Sequence, residues 1–156
     1  GVENEGWAIA KRLLQFERSA VGGGSFIPRS LPLPDLLARY APVDESARAR
    51  VLGIEMDRES YRLTQSKAAE ERTLPGAPTF ATSAFKYLST KLESRSLYET
   101  VSLMGFQGLG WEGLDFTSEE ISDTRKMLLS RGFLIAGGSS EVQLNVIAKQ
   151  VLRLPD

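Results

Sequence analysis

Residues Gly6–Val21 read GWAIAKRLLQFERSAV. Set on a helix at about 100° per residue, Ile9, Ala10, Leu13, Leu14, Phe16, Ala20 and Val21 share one broad face. Lys11, Arg12, Gln15 and Arg18 hold the other side. The pattern predicts an amphipathic helix over 6–21, stopped by Gly22-Gly23-Gly24. Glu17 is the odd residue, near the middle of the apolar face between Leu13 and Val21. Periodicity leaves two readings open. The carboxylate reaches water or pairs with a buried Arg, as structural carboxylates do. Or it is poorly solvated, with a raised pKa suited to accepting a proton.

Outward from this helix the chain repeats the same kind of element. Leu33–Tyr40 is predicted as a short helix between Pro32 and Pro42. A long second helix is expected from about Asp44, a good N-cap, to Thr73, with Val51, Ile54, Met56, Tyr61 and Leu63 as its sparse apolar residues. After the turn cluster LPGAP (74–78), a third helix spans roughly 79–104, its apolar face made by Phe80, Ala84, Phe85, Leu88, Leu92, Leu97, Val101 and Met104. A glycine-rich loop follows, with Gly105, Gly108, Gly110 and Gly113. The fourth helix, about 118–131, has Thr117 or Ser118 as cap and Glu119 and Glu120 in its first turn, where the helix dipole favours them. A fifth runs from Ser140 to Leu152, Ser140 and Gln143 having capping-box spacing. No strand-like alternation competes. The expected fold is all-α, an antiparallel four-helix bundle with one or two additional short helices.

Composition narrows the chemistry. The 156 residues contain no cysteine, which excludes disulfides, thiolate metal sites and Cys nucleophiles, and no histidine, which removes Ser-His and Cys-His mechanisms. Acid–base work falls to a carboxylate, Lys or Tyr. A net charge of −1 implies no general attraction to nucleic acid or anionic membrane. No apolar run approaches the roughly 20 residues that span a bilayer. Gly22-Gly23-Gly24 has neither the spacing nor the following Lys of a phosphate-binding loop. The chain opens without Met on Gly1-Val2-Glu3-Asn4, which reads as a fragment or processed product.

Both ends resemble the flavin-dependent acyl-CoA dehydrogenases. GVENEGWAIAKRLLQFER (1–18) is similar to the start of their C-terminal helical domain, and IAGGSSEVQLNVIAKQVLRLP (135–155) to their terminal signature. LMGFQGLG (103–110) sits where the family has a glycine-rich turn after its third long helix. The resemblance implies that residues 1–156 are the C-terminal domain of a longer chain, whose N-terminal helical and middle β domains are absent. It implies an FAD-dependent oxidoreductase of fatty acid metabolism that converts an acyl-CoA thioester to the trans-2-enoyl-CoA. A carboxylate takes the α-proton, and the β-hydrogen leaves as hydride to the flavin. Electron-transfer flavoprotein is the implied acceptor, and a homo- or hetero-oligomer, commonly a homotetramer, the implied assembly. The location implied is cytoplasmic, or the mitochondrial matrix in a eukaryote.

Members place the base at one of two positions. One lies in the terminal turn and matches Gly137, so that base is missing. The other lies in the first helix before an Arg and matches Glu17, followed by Arg18. The resemblance thus implies Glu17 as the catalytic base and Arg18 near the substrate, against the plain alternative of a solvated basic residue. Ser139 and Glu141 match positions that touch FAD, although both are also ordinary first-turn capping residues. Gly108 matches a glycine that lets backbone approach a neighbouring subunit's FAD, although loop glycines are often just turns.

Two departures accompany the likeness. The Arg-x-x-Phe-Gly segment that contacts a partner's FAD has no counterpart, a proline-rich stretch over 25–42 standing in its place. The Gln before the glycine-rich turn corresponds to Ser102. They motivate an alternative, a non-catalytic helical subunit or oligomerisation domain of a heteromeric dehydrogenase-like assembly.

Overall fold

A computed structural model of the protein describes residues 3–22, 31–71 and 81–155. The elements are α1 (Gly6–Gly22), α2 (Leu33–Tyr40), α3 (Glu45–Glu71), α4 (Ala81–Met104), a 3-10 turn over Gly105–Leu109, α5 (Ser118–Phe133), α6 (Ser140–Val146) and a π-helical turn over Ile147–Val151. The described residues contain no strand, and the fold is all-α as expected. Thr73 and Phe80, expected in α3 and α4, lie outside the described residues, as do Gly23, Gly24, Pro28 and the 74–78 cluster.

Local chemistry explains most boundaries. α2 begins with Leu33-Pro34, where a fixed φ suits the first turn, and carries Asp35 near its start and Arg39 near its end. Asp44 caps α3, its Oδ1 accepting from the Ala47 N–H at 2.9 Å. α5 starts with a reciprocal capping box. The Glu120 N–H donates to Thr117 Oγ1 at 3.3 Å, and the Thr117 N–H donates to Glu120 Oε2 at 2.8 Å. The box expected at Ser140 and Gln143 does not form. Ser139 is the cap of α6, accepting from the Val142 N–H, and the Gln143 amide is drawn to the Gly137 carbonyl instead.

Packing centres on α4, which touches α1, α2, α3, α5 and α6. Partners along α3 and α4 run in opposite directions, Arg50 with Glu99, Arg58 with Ser96, Tyr61 with Phe85. α4 and α5 are likewise antiparallel. Lys86 reaches the Leu134 carbonyl just past α5, and Thr124 reaches the Gly108 carbonyl just past α4. The apolar core gathers Leu33 and Leu36 of α2, Ala47, Val51 and Ile54 of α3, and Leu103 of α4.

The expected apolar faces are partly overturned. On α3, Val51 and Ile54 are buried, but Met56 and Leu63 are exposed. On α4, Leu97 and Met104 are buried and Leu88 is exposed. The buried positions of α4 are otherwise largely polar: Lys86, Thr90, Ser94, Ser96, Glu99 and Thr100. α4 keeps one exposed stripe, Leu88, Lys91, Arg95, Tyr98 and Ser102, and the polar residues on its packed sides have no water to meet. Its hydroxyls turn back on the helix, Thr90 donating to the Lys86 carbonyl at 2.9 Å and Thr100 to the Ser96 carbonyl at 3.0 Å. Glu99 accepts from Arg50 Nε at 3.0 and 3.1 Å.

Glu120 also accepts from the Tyr40 hydroxyl at 2.9 Å. The Thr117 backbone N–H, then Tyr40 and the Thr117 hydroxyl, hold its carboxyl below the ordinary carboxylate range against the opposing effect of burial. Because the folded pKa is depressed, the stabilisation is complete above the unfolded value of about 4.3 and is lost as pH falls through the lower folded value. Thr117→Ala is expected to cost about 1 kcal/mol at pH 7 by chemical denaturation. The stability gap between the parent and Glu120→Gln should narrow as pH falls below about 4.3. A gap that stays constant into acid would exclude the linkage.

Candidate functional site

The sequence marks two regions, the end of α1 and the turn between α5 and α6. Glu17 and Arg18 lie on α1, which packs against α4. Their side chains lie outside the described residues. The neighbouring face is not a single buried stripe. Ala10 and Leu14 are partly buried, while Trp7, Ile9, Leu13 and Phe16 are 63–68% exposed. Ile9, Leu13 and Phe16 follow i, i+4, i+7 spacing, so an apolar ridge stands open along α1.

The α5–α6 turn is built from two left-handed glycines, Gly137 with φ 69° and Gly138 with φ 102°. L side chains rarely adopt these angles. A Cβ on Gly138 would also meet Gln143 Nε2 at 2.6 Å. Gln143 is fully buried and donates to the Gly137 carbonyl at 2.9 Å, so α6 cannot dock without gripping the turn. From the other side Lys86 Nζ donates to the Gly138 carbonyl at 2.6 Å. With these carbonyls taken up inward, the turn presents Ser139 and the exposed Glu141 outward. A hydrogen bond from Ser139, then Glu141's own backbone N–H and the Lys91 charge, hold the Glu141 carboxyl below its ordinary range.

Gly108 sits elsewhere. It follows the C-terminal end of α4, whereas Lys86 and the α6 turn lie near its N-terminal end. Lys86 and Met104 are separated by about 27 Å of helix rise. One chain therefore brings Ser139 and Glu141 together but holds Gly108 apart from them. The structure also supplies an internal reason for glycine at 108. An added Cβ would lie 2.4 Å from the Val101 carbonyl oxygen, and Thr124 Oγ1 donates to the Gly108 carbonyl at 3.1 Å.

Around this loop, Phe106, Leu109, Trp111 and Leu114 are exposed. Arg125 lies 4.8 Å from the Trp111 ring centroid and donates to the Trp111 carbonyl at 2.8 Å. Among the described residues, open grooves lie on two sides of the bundle. One, about 460 Å³, lies between α3 and α4 beside Tyr61, Lys91 and Arg95, and the other, about 490 Å³, lies beside Ser118 and Arg125. Neither includes an expected site residue. Among the described residues no cluster of Asp, Glu, His or Cys could hold a metal ion, and no helix is long and apolar enough to cross a membrane.

The family described as "Acyl-CoA dehydrogenase, C-terminal domain" matches residues 4–152. The chain belongs to this family. It is similar to the Acyl-CoA dehydrogenase IpdE1 of Mycobacterium tuberculosis, 28% identical over 164 aligned positions that cover 99% of this chain and 40% of that protein. The chain thus spans less than half the length of that relative. No solved structure matches.

Sequence reasoning missed Lys86 and the grip of Gln143 on the turn. Lys86 carried a readable signal. It shares a helical face with Thr90, Leu97 and Met104, so a charge there is as out of place as Glu17 is on α1. Gln143 carried none, because its partner is fixed by tertiary docking.

Gly108→Ala should destabilise the fold by about 1–3 kcal/mol, since a backbone oxygen cannot yield to the added methyl. Chemical denaturation of the variant checks this. An unchanged midpoint would show that the loop accommodates the Cβ.

Proposed function

We propose that this chain is the C-terminal bundle of an FAD-dependent acyl-CoA dehydrogenase, preceded in the full polypeptide by an N-terminal helical and a middle β domain. The reaction is α,β-dehydrogenation of an acyl-CoA thioester to the trans-2-enoyl-CoA. Glu17 is the base and Arg18 lies beside the substrate. The observation that carries this assignment is Gly137. Its φ of 69° is a conformation that glycine adopts freely and a glutamate rarely does. This supports a base on α1 rather than in the terminal turn.

In this reading the Glu17 carboxylate takes the α-proton and becomes the neutral acid. An α-proton beside a thioester is weakly acidic, so the base must be closely positioned and poorly solvated. When bound, FAD supplies the acceptor for the β-hydrogen, which leaves as hydride. The α6 turn fits such a group. Its carbonyls face inward, and the exposed Glu141 with Ser139, which caps α6 and bonds to Glu141, would stand on the side that meets a polar cofactor. Gly108, at the far end of α4, is assigned to the flavin of a second subunit. Electron-transfer flavoprotein is the proposed electron acceptor, and the cytoplasm, or the mitochondrial matrix in a eukaryote, the proposed location.

The open apolar surfaces on α1 and on the 105–114 loop favour a second reading, a non-catalytic subunit that covers them against a different partner. Purification of the full-length protein separates the two. A yellow homo-oligomer is expected for the enzyme, and a colourless chain that requires another subunit would favour the alternative.

In the full-length enzyme, Glu17→Gln should slow anaerobic flavin bleaching by acyl-CoA about 10²-fold or more, the usual loss for a general base. Bleaching at the parent rate would remove Glu17 from the role.

A further inference from the structure

Lys86 lies near the start of α4 and is 0% exposed. Burying an ammonium is costly unless hydrogen bonds replace its water. If the space needed only filling, Met or Leu would fill it more cheaply. The head group instead makes a short bond, 2.6 Å, to the Gly138 carbonyl and a longer one, 3.5 Å, to the Leu134 carbonyl. These oxygens bracket the α5–α6 turn. Gln143 grips the same turn through the Gly137 carbonyl at 2.9 Å. Two side chains from two helices thus hold a backbone segment whose glycine torsions would otherwise give it wide freedom. The bond from a charged donor is the stronger kind.

We propose that Lys86 is a positioning residue, which clamps the Gly137–Ser139 turn against α4 so that Ser139 and Glu141 are held in register for the flavin. This deepens the proposed function and rests on it for the cofactor. The clamp itself rests only on the packing of α4 against the turn. Lys86 need not touch flavin or substrate. Its effect passes through the turn, so it should alter cofactor affinity before it alters acyl-CoA binding.

The test uses the full-length protein with Lys86→Met and Lys86→Arg. Three quantities are read: FAD affinity by fluorescence titration, kcat and KM for an acyl-CoA at saturating FAD, and hydrogen exchange of amides 135–143. Lys86→Met is expected to keep a helical circular-dichroism spectrum and lose FAD affinity about tenfold or more, the scale of a displaced positioning contact. Excess FAD should restore most of its kcat with little change in KM. Amides of the turn should exchange about tenfold faster while those of α3 do not change. Lys86→Arg, which keeps the charge and donors, should regain part of the affinity. If Lys86→Met binds FAD within about twofold of the parent and its turn exchanges normally, the proposal is wrong. If that variant does not fold, Gly138→Ala tests the turn with Lys86 intact, since its Cβ would strike Gln143 Nε2 at 2.6 Å. Normal flavin binding by Gly138→Ala would overturn the assignment. A colourless parent would instead sink the enzyme reading and the cofactor half of this inference, leaving the exchange data to decide the clamp.

Discussion

α4 packs against five other helices, and every polar group it buries must find its partner inside the protein. The solutions differ along its length. Toward the C-terminal end, Leu103 joins the apolar cluster of α2 and α3, while Arg50 satisfies Glu99. In the middle, Thr and Ser hydroxyls bond back to their own helix, which lets neighbouring helices approach closely. At the N-terminal end a lysine is held by carbonyls of the α5–α6 turn. Buried polar groups are thus spread along the whole bundle, and the candidate flavin-facing turn stands at the end held by Lys86.

Much of this was legible wherever the cause is local. Gly22, Pro34, Asp44 and Thr117 mark helix ends because capping and φ restrictions act over a few residues. The adjacent pair Ser139-Ser140 shows the limit. Either serine has the chemistry of a cap, and only the docking of Gln143 onto Gly137 shows which is used. Burial was less legible than boundaries. α4 is contacted on many sides, so its buried face is wide and largely polar, and apolar spacing alone puts Leu88 inside and leaves Lys86 out. The α1 stripe was legible as a stripe, but its periodicity carries no information about what covers it. Of the candidate site, Ser139 and Glu141 do share a turn, Gly108 lies at the other end of α4, and the side chains of Glu17 and Arg18 lie outside the described residues.

The surface divides by chemistry as well. The outer side of α3 carries close-range pairs such as Glu59 with Arg62 at 2.6 Å, and Asp57 bonds across to Arg95 at 2.6 Å. Exposed pairs of this kind add little stability, but they keep the face wet. The α1 ridge and the loop around Trp111 expose apolar groups instead. Exposed apolar groups of this kind are where a folded chain most often meets another surface.

The length of α4 has a consequence of its own. It separates the anchor of the α6 turn, Lys86, from the glycine loop at its other end by a continuous helix with no break among its described residues. One residue inserted or removed between them would shift the two ends by about 1.5 Å and rotate them by about 100°. Lys86 would swing away from the turn, or Gly108 away from Thr124. α4 thus acts as a ruler. Length changes among homologues should collect in the connections between helices and be absent from the segment between 86 and 108.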